Sequence, residues 1–178
     1  KNITKYLEIA LVLMLCLMFV APEVVKIMAT KQYYSGIYMI PPLVFASYEM
    51  YMYTVYVNVE YYYKSTKYIA FNTIVAAITN IVLNFIFVPL YGGMAACFTT
   101  VISYMVSFLM HSKHSRKLDR ELFPLKQFAV PTLIFIIAII IAYLLMEFWI
   151  VRWIIAIVGF IFYAAYALLT KRFSNFLK

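Results

Sequence analysis

Six apolar runs, at 6–28, 37–59, 67–88, 93–111, 128–146 and 149–169, constrain this chain more than any other feature. A helix needs roughly 20 mostly apolar residues to cross a bilayer. The runs are continuous, without the alternation of a lipid-facing barrel strand. In lipid every backbone polar group has to pair internally, so runs of this kind are expected as helices. The expected fold is all-α: a polytopic membrane bundle of six transmembrane helices. Composition agrees, since 66% of the residues are hydrophobic and 12% charged. A soluble domain sits near half apolar and a quarter charged.

The formal charge of +8 would suit a nucleic-acid binder, but the positions of the basic residues point elsewhere. With alternate connections on opposite faces, one face holds Lys1, Lys5, Lys64, Lys67, Lys113, Arg116, Lys117, Arg120, Lys126, Lys171, Arg172 and Lys178. The other holds Lys26, Lys31 and Arg152. This asymmetry is the positive-inside pattern, which places both ends and the 112–127 connection in the cytoplasm. Nucleic acid is not an expected partner; membrane lipids are. The chain starts with lysine and has no short apolar segment with a cleavage site, so no signal peptide is expected. A piece of a longer protein is expected instead.

Polar residues inside the early runs carry the functional information. Eleven of the 17 tyrosines lie between Tyr33 and Tyr68. Glu49, Tyr53, Tyr56 and Glu60 recur at helical spacing and share one face. A charge at mid-span costs roughly 2.5 kcal/mol or more, so Glu49 is expected to face protein or a watery cavity. Tyr48, Tyr51, Tyr53 and Tyr56 lie too deep for an interfacial belt. Pro41-Pro42 is expected to kink or unwind the outer end of this span.

The third run places Thr73, Ala76, Asn80 and Asn84 on one face. Amides in lipid seek partners across helices, so Asn80 and Asn84 read as interhelical glue that borders a polar path. Pro89 is expected to stop this helix, and Gly92-Gly93 to turn the chain. Gly92, Ala96, Thr100, Ser103 and Ser107 then form a small-residue face suited to close helix packing. Glu23 and Lys26, three apart, are placed to pair at the outer end of the first span, and Trp149, Arg152 and Trp153 read as an interface anchor.

Catalysis is not expected. The sequence has no GxSxG, HExxH, glycine-rich phosphate loop or CxxC. His111 and His114 have no third ligand nearby and read as part of a solvated loop. Cys16 and Cys97 fall inside spans and read as small apolar residues, so neither metal nor cofactor is expected. The composition shift divides the chain into a four-helix part at 1–111, a basic cytoplasmic connector at 112–127, and a peripheral transmembrane hairpin with a cytoplasmic tail at 128–178.

Three segments in order, APEVVKIM, QYYSGIYMIPPLVFASYEMYMYTVYVNVEYYYKSTKYIAFNT and AAITNIVLNFIFVPLYGGMAACFTTVISYMVSF, carry a resemblance over residues 6 to 118. The chain resembles the C-terminal half of polysaccharide flippases. These are the Wzx-type transporters of O-antigen and capsule repeat units, in the multidrug/oligosaccharidyl-lipid/polysaccharide exporter superfamily. The resemblance implies two pseudo-symmetric bundles around a central cavity, of which this chain supplies part of the second. It implies transport of undecaprenyl-diphosphate-linked oligosaccharide from inner to outer leaflet of the bacterial cytoplasmic membrane, in which Glu49 would either pair with an arginine of the other bundle or carry a coupling proton or sodium ion. Implied partners are the lipid-linked oligosaccharide, the missing N-terminal half and a polysaccharide polymerase complex. Glu49, Tyr53, Tyr56 and Asn84 become the expected cavity lining, with Asn80, Gly92, Ala96, Thr100 and Ser103 as packing residues. The alternative on the same architecture is a multidrug cation exporter.

Overall fold

The computed structural model describes residues 3–119 and 126–170. Among them are six α-helices and no strand. They are α1 (Ile3–Met28), α2 (Ile40–Tyr62), α3 (Thr66–Tyr91), α4 (Gly93–Leu118), α5 (Lys126–Leu144) and α6 (Trp149–Leu169). All except α2 are long and apolar enough to cross a membrane, which makes the chain a multi-pass membrane protein. Helix α2 has the length, at 23 residues, but its tyrosines keep it less apolar than the rest. Lys1, Arg120, Lys171, Arg172 and Lys178, counted in the charge asymmetry, lie outside the described residues.

Local chemistry sets the helix ends. Residues Lys31–Met39 form a 3-10 segment, and α2 starts at Ile40 with Pro41 and Pro42 in its first turn. The first-turn N–H groups have no partner within a helix, so proline fits there without loss. The proline pair therefore opens the helix, and the outer end of the expected span, before Ile40, is 3-10 and not α-helical, in place of a kink within α2. Helix α3 continues through Pro89 to Tyr91 and ends at Gly92, whose φ is +64°. Gly92 N–H bonds to the Val88 carbonyl at 2.8 Å, and α4 begins at the next residue. The stop is thus the glycine, free of a Cβ, and not the proline.

The turn between α2 and α3 closes differently. Ser65 N–H bonds to the Glu60 carbonyl at 2.8 Å and Lys64 N–H to the Tyr61 carbonyl at 2.9 Å. This pair of bonds is a Schellman cap, with Lys64 at φ +55° in the position that glycine usually fills.

The chain divides into two compact units that differ from the sequence boundaries. One comprises Lys1–Pro41 with Pro131–Lys178, and within it α1 packs along α6. The final hairpin is therefore not a separate appendage. Arg152 is 1% exposed, and its guanidinium pairs with Glu23 of α1. Trp153 Nε1–H donates to the same carboxylate at 3.3 Å, and Lys26 Nζ stands 3.6 Å from it. The Glu23–Lys26 pair expected from spacing is present, within a larger cluster that takes in the anchor residues of α6.

The second unit, Pro42–Val130, holds α3 against α4 along most of their length. Long side chains of α2 join them: Tyr56 packs on Phe108 and Phe128 with ring centres 5.7 and 5.3 Å away. Ser65 Oγ lies 2.8 Å from His114 Nε2, so the α2–α3 turn sits beside the C-terminal part of α4. Lys64, Lys67, Lys113, Arg116 and Lys117 accordingly gather, exposed, at one end of this unit.

Candidate functional site

Helices α2, α3 and α4 line a half-open hollow of about 330 Å³ in the second unit. Tyr53 comes from α2; Thr73, Ala76, Ala77 and Asn80 from α3; Thr100, Ser103, Tyr104 and Ser107 from α4. Most of these side chains bear a hydroxyl or an amide, unlike the Ile, Leu and Phe residues on the outer face of α3. The volume falls in the usual range of small-molecule sites, about 300–1,000 Å³.

The face of α4 that meets the hollow is built from short polar residues. In a helix they return their hydroxyl protons to the preceding turn: Thr100 Oγ1 to the Ala96 carbonyl at 2.8 Å, Ser103 Oγ to the Thr99 carbonyl at 2.7 Å. Each oxygen, its proton so used, keeps lone pairs that can accept a hydrogen bond. On α3 the two asparagines form a relay. Asn84 Nδ2 donates to Asn80 Oδ1 at 2.9 Å, and Thr99 Oγ1 of α4 donates to Asn84 Oδ1 at 2.5 Å. The amides tie α3 to α4, while Asn80 also borders the hollow.

The residues expected to line a cavity separate in the structure. Tyr53 borders this hollow. Tyr56 is buried in the aromatic cluster with Phe108 and Phe128. Asn84 stands in the amide relay. Glu49 is 0% exposed, and its two carboxylate oxygens have no hydrogen-bond partner among the described residues. Of the expected packing residues, Asn80, Thr100 and Ser103 line the hollow, Ala96 supplies the carbonyl for Thr100, and Gly92 forms the exposed turn.

The sequence reading of His111 as a solvated loop residue is corrected. Helix α4 continues to Leu118, and His111 is 0% exposed. Its Nδ1 lies 2.7 Å from Glu60 Oε2 of α2 and 3.4 Å from Asn72 Nδ2 of α3. The ring of Tyr53 stacks on His111 with centres 5.7 Å apart. His114, one turn nearly completed, stacks on Tyr68 at 3.5 Å. The signal was periodic: Tyr104, Phe108, His111 and Ser115 follow helical spacing inward, while Lys113, Arg116 and Lys117 point outward. Beyond α2, the Tyr63 hydroxyl donates to Asp119 Oδ2 at 3.4 Å. Desolvation, followed by that carboxylate, pushes the phenol above its ordinary pKa.

Fold and site together define a multi-pass helical membrane protein with a polar hollow among apolar helices. Comparison of the chain with protein-family models, characterised proteins and solved structures returned no match.

Proposed function

We propose that this chain is part of a flippase that carries undecaprenyl-diphosphate-linked oligosaccharide repeat units from the inner to the outer leaflet of the bacterial cytoplasmic membrane. The observation that carries the reading is the hydroxyl- and amide-lined hollow against Tyr53 and Tyr104. Sugar hydroxyls lose their water in hydrocarbon at a large cost unless other hydrogen-bonding groups replace it. Serine, threonine and asparagine side chains supply such groups, and tyrosine faces stack on sugar rings. The resemblance of the motif order to that of polysaccharide flippases supports the same class. In this reading the basic end of the second unit faces the cytoplasm, and the rest of the transporter completes the path. Export of two negative charges gains roughly 4–5 kcal/mol at 100 mV, interior negative. The barrier, not the driving force, is what such a protein removes.

One observation favours the second reading, a multidrug cation exporter: the buried Glu49 carboxylate beside deep tyrosines suits a cation. Reconstitution of the protein containing this chain separates the two. A fluorescent lipid-linked oligosaccharide should cross to the outer leaflet, and Tyr53→Leu with Ser103→Leu should slow it about tenfold, the equivalent of 1.4 kcal/mol in barrier height. Transport of a cationic dye without movement of the lipid would favour the exporter. In cells, Glu49→Gln should abolish surface polysaccharide at unchanged expression; an unaltered polysaccharide would remove Glu49 from the mechanism.

A further inference from the structure

The buried contact between Glu60 and His111 has no part in the reading above, and its geometry implies chemistry of its own. The side chains are 0% and 1% exposed, with His111 Nδ1 2.7 Å from Glu60 Oε2. Two lone pairs do not face each other at that separation, so a proton lies between them. A neutral imidazole that donates Nδ1–H to the carboxylate leaves the pair at −1; one further proton makes it neutral overall, as imidazole and carboxylic acid or as imidazolium and carboxylate. Asn72 accommodates both positions. Its amide nitrogen donates to Nδ1 when the proton resides on Glu60, and its oxygen takes that place when the proton resides on His111.

The surroundings are otherwise neutral. Tyr53 stacks on His111 from α2 and Asn72 meets it from α3, while α4 adds His114 and Ser115. Arg116 on α4 is exposed, and among the described residues no lysine or arginine pairs with Glu60. Glu60 Oε1, His111 Nε2 and Asn72 Oδ1 have no hydrogen-bond partner among the described residues.

We propose that Glu60 and His111 form a proton-binding site whose occupancy holds α2 against α4. Departure of that further proton leaves Nδ1–H against a buried carboxylate, a net charge of −1 with no lysine or arginine paired to it among the described residues to offset the lost hydration. The uncompensated charge then draws water in, and the end of α2 loosens from α4. Tyr53 transmits this to the hollow, because its ring both stacks on His111 and forms part of the hollow wall. The inference holds whatever solute the hollow accepts.

The chain has two histidines, so 15N-histidine labelling of the full chain in lipid nanodiscs gives two imidazoles, and His114→Gln assigns His111. The His111 resonances and the Glu60 carboxyl infrared band should change with pH in one common step. Glu60→Gln should move the His111 midpoint by about one pH unit or more, a tenfold change in proton affinity. Spin labels at Tyr61→Cys and Lys113→Cys, with Cys16 and Cys97 replaced by alanine, should move apart on the alkaline side of that step. Separate midpoints, a His111 midpoint unmoved by Glu60→Gln, or a label distance independent of pH would each overturn the proposal. Should Glu60→Gln lose helical content, His111→Gln gives the same decision through the Glu60 band, where an unmoved midpoint overturns it.

Discussion

Arg152, in the first turn of α6, is buried and pairs with Glu23 of α1, which lies 129 positions earlier in the chain. The two partners are not equivalent. Glu23 retains Lys26 at 3.6 Å if Arg152 is lost, whereas Arg152 is left with the Phe19 carbonyl at 3.4 Å and the Met146 sulfur at 4.0 Å if Glu23 is lost. Breaking a buried pair by removing one partner costs about 3–5 kcal/mol when a charge is stranded. Glu23→Leu should therefore approach that cost in denaturant unfolding in micelles, and Arg152→Leu should cost clearly less. Equal losses would show that Lys26 contributes nothing.

The amide relay predicts a graded series on the α3–α4 seam. Asn84→Leu removes the bonds to Asn80 and Thr99 together and should cost about 1–3 kcal/mol, from roughly 0.6 to 1.7 for each bond within a membrane. Thr99→Val removes the interhelical bond, with the hydroxyl's alternative donation to the Ala96 carbonyl at 3.0 Å, but leaves Asn84 bonded to Asn80, and should cost about half as much. Phe85, on the same helix but 84% exposed, should tolerate Leu within about 0.5 kcal/mol. A Phe85→Leu loss as large as that of Asn84→Leu would assign the seam to apolar packing.

Lys64 gives a conformational prediction. Its φ of +55° is the left-handed region, costing an ordinary L-residue about 1–2 kcal/mol. Lys64→Gly relieves that cost and should leave the thermal midpoint unchanged or higher. Lys64→Ile, β-branched and crowded in this region, should lower it. The reverse order would mean that the Schellman cap is absent from the protein in lipid.

Helix existence was legible because apolar runs of bilayer length admit few alternatives, and the six sequence runs correspond to α1–α6. Helix ends were less legible. The sequence reading closed the fourth run at 111, where charges begin, yet a helix carries charged residues on its outer face while His111 and Ser115 stay inside. That one decision hid the contact of His111 with Glu60. The pairing of α1 with α6 was also not readable, since it rests on Glu23 meeting Arg152 across most of the chain. At the site, type was easier to read than role: Asn80, Thr100 and Ser103 stood out as small and polar. Whether such side chains fill a seam or line a hollow depends on the separation of three helices, which no single run encodes.

The proposed function requires that water reach the hollow beside Tyr53 within the membrane-spanning bundle. Thiol labelling tests it directly, because maleimide reaction requires a thiolate, which forms where water reaches the sulfur. In a background with Cys16 and Cys97 changed to alanine, Thr100→Cys faces the hollow and Ile81→Cys, on the 66% exposed outer side of α3, serves as the lipid-facing reference. A membrane-impermeant maleimide applied to the protein in lipid vesicles should modify Thr100→Cys and leave Ile81→Cys unmodified. Thr100→Cys as inert as Ile81→Cys would contradict the account.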